Sequence, residues 1–130
     1  MKKVKIFVIQ HHFSKNEHYD FRLEMDGVLK SWAVPKEPPL EPGIKRLAIQ
    51  VDDHAVEYAK FHGTIKSGYG KGTVKIWDYG EFDLISRDDS KIVFILKGKK
   101  MKGRYALVKF LNVNKNIKNA KNNWLLFKEK

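Results

Sequence analysis

From His18 to Met25 the chain alternates strictly. His18, Asp20, Arg22 and Glu24 take every second place, and Tyr19, Phe21, Leu23 and Met25 fill the places between. This period predicts a strand with two unlike faces, one apolar and suited to a core, the other carrying chemistry. Asp26-Gly27 follows as a two-residue hairpin signal, so Val28 to Val34 is predicted to return antiparallel. The implied register sets Tyr19 against Val34, Asp20 against Ala33, Phe21 against Trp32 and Arg22 against Ser31. Large residues meet on the apolar face. Small ones stand opposite Asp20 and Arg22, which leaves room for a pocket.

The same reading extends along the chain. Residues 4–10 (VKIFVIQ) predict a first strand, and the proline-rich 35–42 predicts a stiff loop. Lys45 to Asp53 alternates again, with Leu47, Ile49 and Val51 on one side. Arg46, Ala48, Gln50, Asp52 and, by continuation, His54 fall on the other. AVEYAKF predicts one helical turn carrying Tyr58, and 63–72 a glycine-rich turn. Thr73 to Tyr79 and Glu81 to Ile85 read as a hairpin around Gly80. Ile92 to Leu96 reads as a strand buried on both faces, Tyr105 to Leu111 as another, and Trp124 to Phe127 as the last. The Asn/Lys-rich 112–123 reads as a surface loop. The expectation is one domain over 1–130, mostly β, with little helix. About eight short strands are best accommodated in a small closed or partly closed β-barrel, which disposes of the edges.

Composition changes this picture in two ways. Cysteine is absent among the 130 residues, which excludes disulfides and thiolate metal sites. No apolar run is long enough to span a bilayer, and a reducing cytoplasm is the expected compartment. The net charge of +11 is segregated: residues 1–90 balance 14 basic against 14 acidic residues, whereas 91–130 hold 12 basic residues and only Glu129 as an acid. Such an excess suits a polyanion, most simply nucleic acid, or equally a solubilising surface. Its densest part holds Lys99, Lys100, Lys102 and Arg104, the expected DNA-docking residues.

The chemical face has a definite geometry. His18 and Asp20 stand roughly 6.8 Å apart at Cα and can converge on one metal ion, with His12 returning as a third ligand from a loop. Two His and one carboxylate suit Mn, Fe or Zn. Arg22, roughly 13 Å from His18 along the strand, has the wrong charge for a ligand but the right fork for a bound phosphate. A polar, hydrogen-bonded strand face is the plainer alternative. The same donor set also suits a non-haem iron oxygenase, and the basic residues suit a non-catalytic module that binds DNA ends.

Five segments carry a resemblance: FVIQHHFSKNEHYDFRLEMDGVLKSWAVPK, KRLAIQVDDHAVEY, GYGKGTVKIWD, LKGKKMKGRYALVKF and WLLFK. Over nearly its whole length the chain resembles the 3′-phosphoesterase domain of bacterial DNA ligase D and its stand-alone archaeal relatives. The resemblance implies a Mn²⁺-dependent phosphoesterase on a β-barrel. Such an enzyme heals DNA 3′ ends, at primer-template or duplex-proximal DNA, by removing a 3′-phosphate and resecting a terminal ribonucleoside. It implies His12, His18 and Asp20 as metal ligands, with Arg22, His54 and Tyr58 serving the phosphate catalytically. Lys36 and Arg46 would aid phosphate recognition, and Glu24 and Asp52 fall at acidic positions. Only eleven residues precede His12, so ribonucleoside removal is expected to be slower than phosphate removal. Polymerisation and ligation would fall to separate proteins.

Overall fold

A computed structural model describes residues 4–68, 71–110 and 122–130. Nine strands run in order: β1 (Lys5–Phe13), β2 (His18–Met25), β3 (Val28–Val34), β4 (Lys45–His54), β5 (Gly63–Ile65), β6 (Gly72–Arg87), β7 (Lys91–Lys97), β8 (Lys102–Lys109) and β9 (Asn123–Lys128). A single 3-10 turn (Val56–Lys60) lies between β4 and β5. No α-helix occurs among the described residues, and no helix there is long and apolar enough to cross a membrane.

Eight strands close into an antiparallel barrel. Their order is β1-β2-β3-β4-β9-β8-β7-β6, and β6 pairs back onto β1. The short β5 adds to the start of β6. Closure gives each of the eight barrel strands a partner on both sides, where an open sheet would leave two edges exposed. The C-terminal strand inserts between β4 and β8, so the last residues complete the ring. The lumen holds the core, including Phe7, Ile9, Phe21, Leu23, Trp32, Phe94, Leu107 and Leu126, all at most 1% exposed. Each such side chain contributes about 1.5–3 kcal/mol through its removal from water.

The β2–β3 hairpin has the expected register, with Asp20 opposite Ala33, Phe21 opposite Trp32 and Arg22 opposite Ser31. Asp26 and Gly27 both adopt positive φ, 59° and 78°, as the tight turn requires. The residues of AVEYAKF do form one turn, of the 3-10 type. The glycine-rich stretch is only partly turn, because Gly63–Ile65 is a strand, and residues 69–70 lie outside the described residues. Most of the Asn/Lys-rich 112–123 lies outside them too.

Three expectations are corrected. β1 continues to Phe13, so His12 stands in a strand directly opposite His18 rather than returning from a loop. Gly80 is not a hairpin turn: Gly72–Arg87 is one sixteen-residue strand. Gly80 lies where this strand passes from its partner β1 to its partner β7, and a Cβ there would collide with the Lys97 carbonyl oxygen. Close backbone approach, not positive φ, selects glycine. The third correction concerns β4. Its alternation breaks at a bulge, since Ser31 pairs with Val51 but Leu29 pairs with His54. Lys30 on β3 thus opposes both Asp52 and Asp53 on β4. Buried Ala48, in the core cluster, assigns Arg46, Ala48 and Gln50 to the inward row. The extra residue turns His54 to the opposite, outward row.

Candidate metal and phosphate site

Tyr19, Phe21, Leu23 and Met25 fill the lumen, so His18, Asp20, Arg22 and Glu24 point out of the barrel. They are nevertheless hidden: Asp20 is 8% exposed, Arg22 4% and Glu24 6%. The cover is the segment after β4. Ala59 of the 3-10 turn packs on Val8 and Leu29, with Ile6 and Tyr58 against them, as a second small core outside the barrel. Beside it opens a cleft of about 880 Å³ lined by His12, His18, Asp20, Arg22, His54 and Tyr58 among others. The small residues expected to make room, Ala33 and also Val51, form part of its wall.

One side of the cleft is a cluster of metal-competent side chains. One donor atom each from His12, His18 and Asp20 lies within 4.8 Å of the others. His12 comes from β1, and His18 and Asp20 from β2, so the antiparallel pairing alone assembles the set. His18 Nδ1 donates to the Asn16 carbonyl at 2.8 Å. That contact leaves Nε2 facing Asp20 Oδ1 at 3.2 Å. A neutral ring would set a lone pair against a carboxylate there. A shared proton or a cation resolves the conflict, and a carbonyl holding the far ring nitrogen is how proteins orient metal-bound imidazoles. Accordingly Asp20 raises the His18 pKa against the opposing effect of burial. Burial pushes the Asp20 carboxyl up, but His18, Arg22 and His12 outweigh it and hold it below its ordinary value. The residues present fit a divalent cation held by nitrogen and oxygen donors.

The other side is a hydrogen-bonded cluster built around Arg22. Its Nε donates to Gln10 Oε1 at 2.6 Å, and its Nη1 to Ser31 Oγ at 2.8 Å and His54 Nδ1 at 3.1 Å. Nη2 lies 3.5 Å from Asp20 Oδ2, and the guanidinium stacks 5.0 Å from the Tyr58 ring. Burial lowers the Arg22 pKa, yet a guanidinium starts so high that it keeps its charge. Arginine can only donate, so His54 Nδ1 accepts and its Nε2 carries the proton. The 3.3 Å approach of Nδ1 to the Asp52 carbonyl would need the opposite tautomer, and the shorter contact with an obligate donor decides against it. Burial, then Arg22, lowers the His54 pKa, so the ring is neutral with an Nε2–H to give. Tyr58 stacks against it at 4.7 Å, and burial raises its phenol pKa.

The remaining candidates are placed differently. Asp52 lines the cleft, whereas Glu24 does not and accepts the Ile6 amide through Oε1. Lys36 is exposed beyond β3, and Arg46, on the inward row, donates to the Glu37 carbonyl. Neither lines the cleft, where Lys15 and Lys71 supply cations instead. Lys99 and Lys100 occupy the exposed β7–β8 turn. Buried Asp78 shapes that turn by accepting the amides of Lys99, Lys100 and Met101. Lys102 opens β8, and Arg104 pairs with Glu129. Gln10 is a residue of this cluster that the sequence pattern did not single out. Its Oε1 holds Arg22 while its Nε2 donates to the Tyr58 and Phe61 carbonyls, tying the covering turn to the barrel. The one available signal was its parity with His12 in β1.

The site thus joins a two-His, one-carboxylate cluster to a buried arginine on the outside of a closed β-barrel. Residues 10–109 match the family described as the DNA Ligase D 3′-phosphoesterase domain, and the chain belongs to that family. It is 43% identical to the multifunctional non-homologous end joining protein LigD of Pseudomonas aeruginosa, over 95% of this chain and 15% of that protein. It is 49% identical to the corresponding repair protein of Mycobacterium tuberculosis over 79% of the chain and 14% of that protein. With the Mycolicibacterium smegmatis protein the identity is 46% over 78% of the chain and 15% of the relative. The chain thus spans about one-seventh of the length of these relatives. Membership of that family supports a hydrolase of the phosphoesterase class.

Proposed function

We propose that this protein is a metal-dependent phosphoesterase that converts a DNA 3′-phosphate to a ligatable 3′-hydroxyl, and also resects a 3′-terminal ribonucleoside. The observation that carries this reading is the juxtaposition, in one cleft, of His12, His18 and Asp20 with Arg22 and His54. Mn²⁺ is the cation proposed. Bound by the three ligands, it would neutralise charge on the terminal phosphate.

The chain's own residues do the rest. Arg22, immobilised by Gln10 and Ser31, offers its remaining donors to phosphate oxygens. It costs no reorganisation as transition-state charge develops. His54, protonated at Nε2, donates to the phosphate or to the leaving oxygen. Tyr58 holds the planes of both groups and keeps its phenol proton. Lys36 and Arg46 serve recognition outside the cleft, on the strand approaching it. The partners are DNA 3′ ends at primer-template or duplex-proximal positions, with a DNA ligase and polymerase, in the cytoplasm.

The test is release of phosphate from a 3′-phosphorylated oligonucleotide with and without added Mn²⁺. Metal-dependent release is expected. Equal action on a 5′-phosphate or on a free nucleotide would contradict the reading. Consumption of O₂ would favour an oxygenase, and binding of DNA ends without turnover would favour a non-catalytic module.

A further inference from the structure

The hairpin that joins the two histidine ligands also begins a row of aromatic rings across the barrel mouth. Phe13 follows His12 directly but points the opposite way, and it is 38% exposed. Its ring lies 3.9 Å from His11, whose ring lies 4.0 Å from Tyr19. Tyr19 in turn meets the half-buried Trp77 edge-on at 5.7 Å. His11 is held in place by Glu17, whose Oε2 stands 2.9 Å from Nε2. Tyr19 is largely buried, so it and His11 support the two open rings at the ends. Each open ring carries a lysine: Lys75 Nζ is 5.7 Å from the Phe13 centroid, and Lys100 Nζ is 4.5 Å from that of Trp77.

We propose that this rim, from Phe13 to Trp77, is a stacking platform for unpaired bases of the nucleotides adjoining the DNA 3′ terminus. The inference rests on the function proposed above and adds where the strand lies and in what form. Ser14, Lys15 and Asn16 of the hairpin form part of the cleft's wall, so a strand with its terminal phosphate in the cleft can leave past them. Phe13 adjoins Ser14 of that wall and is exposed. Aromatic faces interleaved with cations suit single-stranded nucleic acid: rings take bases of any sequence, and amines take the phosphates between them. Trp77 leads to the basic β7–β8 turn through Lys100, so cleft, platform and turn form one path. Bases inside a duplex present no free face, so the terminal nucleotides must unpair to use it.

Binding in EDTA separates this inference from catalysis. Fluorescence anisotropy would compare a 3′-phosphorylated single strand with the same strand made abasic at its last two residues. The wild-type protein should bind the intact strand about five- to tenfold more tightly. Phe13→Leu should abolish that preference, Phe13→Tyr should keep it, and Trp77→Leu should reduce it. Lys75→Met and Lys100→Met should weaken both strands alike. Phe13 is exposed, so its leucine variant is expected to fold, which its thermal transition would verify. Equal affinity of the wild type for the two strands, or an undiminished preference in Phe13→Leu, would overturn the proposal. Base-dependent binding without phosphate release would leave the platform standing and sink the enzymatic reading. Phosphate release without base dependence would do the reverse.

Discussion

Phe21 and Arg22 are neighbours in β2, and both are buried, at 0% and 4% exposure. Phe21 faces the lumen, where the rings of Phe7, Trp32 and Phe94 surround it at 5.9–6.5 Å. Arg22 faces outward and touches Gln10, Ser31, His54 and Asp20. The lumen side is held by non-directional burial, which tolerates imprecision and yields stability. The outward side buries a charge, which costs free energy unless every donor is met. A protein selected for stability alone would place an apolar residue at position 22. Under the function proposed above, the arrangement would preorganise donors for an anion that arrives later.

The sharpest way to break this comparison is mutation of the outward face. His12→Ala, His18→Ala and Asp20→Ala should each lose both Mn²⁺ binding, read by calorimetry, and phosphate release. Arg22→Ala and His54→Ala should keep the metal and lose about 10²- to 10³-fold in turnover. Arg22→Lys should recover little, because a point charge does not reproduce the fork. Should His54→Ala abolish the metal heat while His12→Ala leaves it intact, the third ligand is His54.

Stability should divide the other way. Phe21→Ala should cost about 3–5 kcal/mol in urea unfolding, and His54→Ala less than about 1 kcal/mol. Equal costs would mean that the outward face is a structural element after all. Gly80→Ala lies between them, because its Cβ would strike the Lys97 carbonyl. It should cost about 1–3 kcal/mol with turnover retained in whatever fraction stays folded.

Acidity offers a finer probe. Asp20 raises the folded-state pKa of His18 above the ordinary 6.5. In metal-free protein its contribution to stability is therefore full below about pH 6.5 and is lost as pH rises through the raised value. Mn²⁺ must displace the same proton, so its affinity should rise over that interval. Unfolding and Mn²⁺ titrations from about pH 6 to about pH 8 should show opposite trends, and both should flatten in His18→Gln. The smallest effect is expected far from the cleft. Neutralising Lys99, Lys100 and Lys102 should weaken DNA binding alike for all sequences. The salt slope should fall by about one unit for each DNA phosphate that these lysines no longer neutralise. An unchanged slope would assign them to solubility.

Local pattern determined much of this protein. Period-two alternation, Asp26-Gly27 and the size match across Phe21 and Trp32 sufficed for the β2–β3 register, because side-chain parity and turn geometry are properties of neighbouring residues. They also sufficed to put His18, Asp20 and Arg22 on one face above small residues. The chain's motifs, read as a resemblance, named the family to which it belongs. Tertiary structure decided what no short window contains. Closure through β1–β6 made Gly80 a point of close approach instead of a turn. Antiparallel pairing set His12, itself in a strand, opposite His18, six residues away in sequence. One extra residue in β4 reversed the parity of His54 and carried it to Arg22, while Arg46 and Gln50 stayed inward. A bulge is invisible in alternation until the partner strand is known, since only that partner shows which residue goes unpaired.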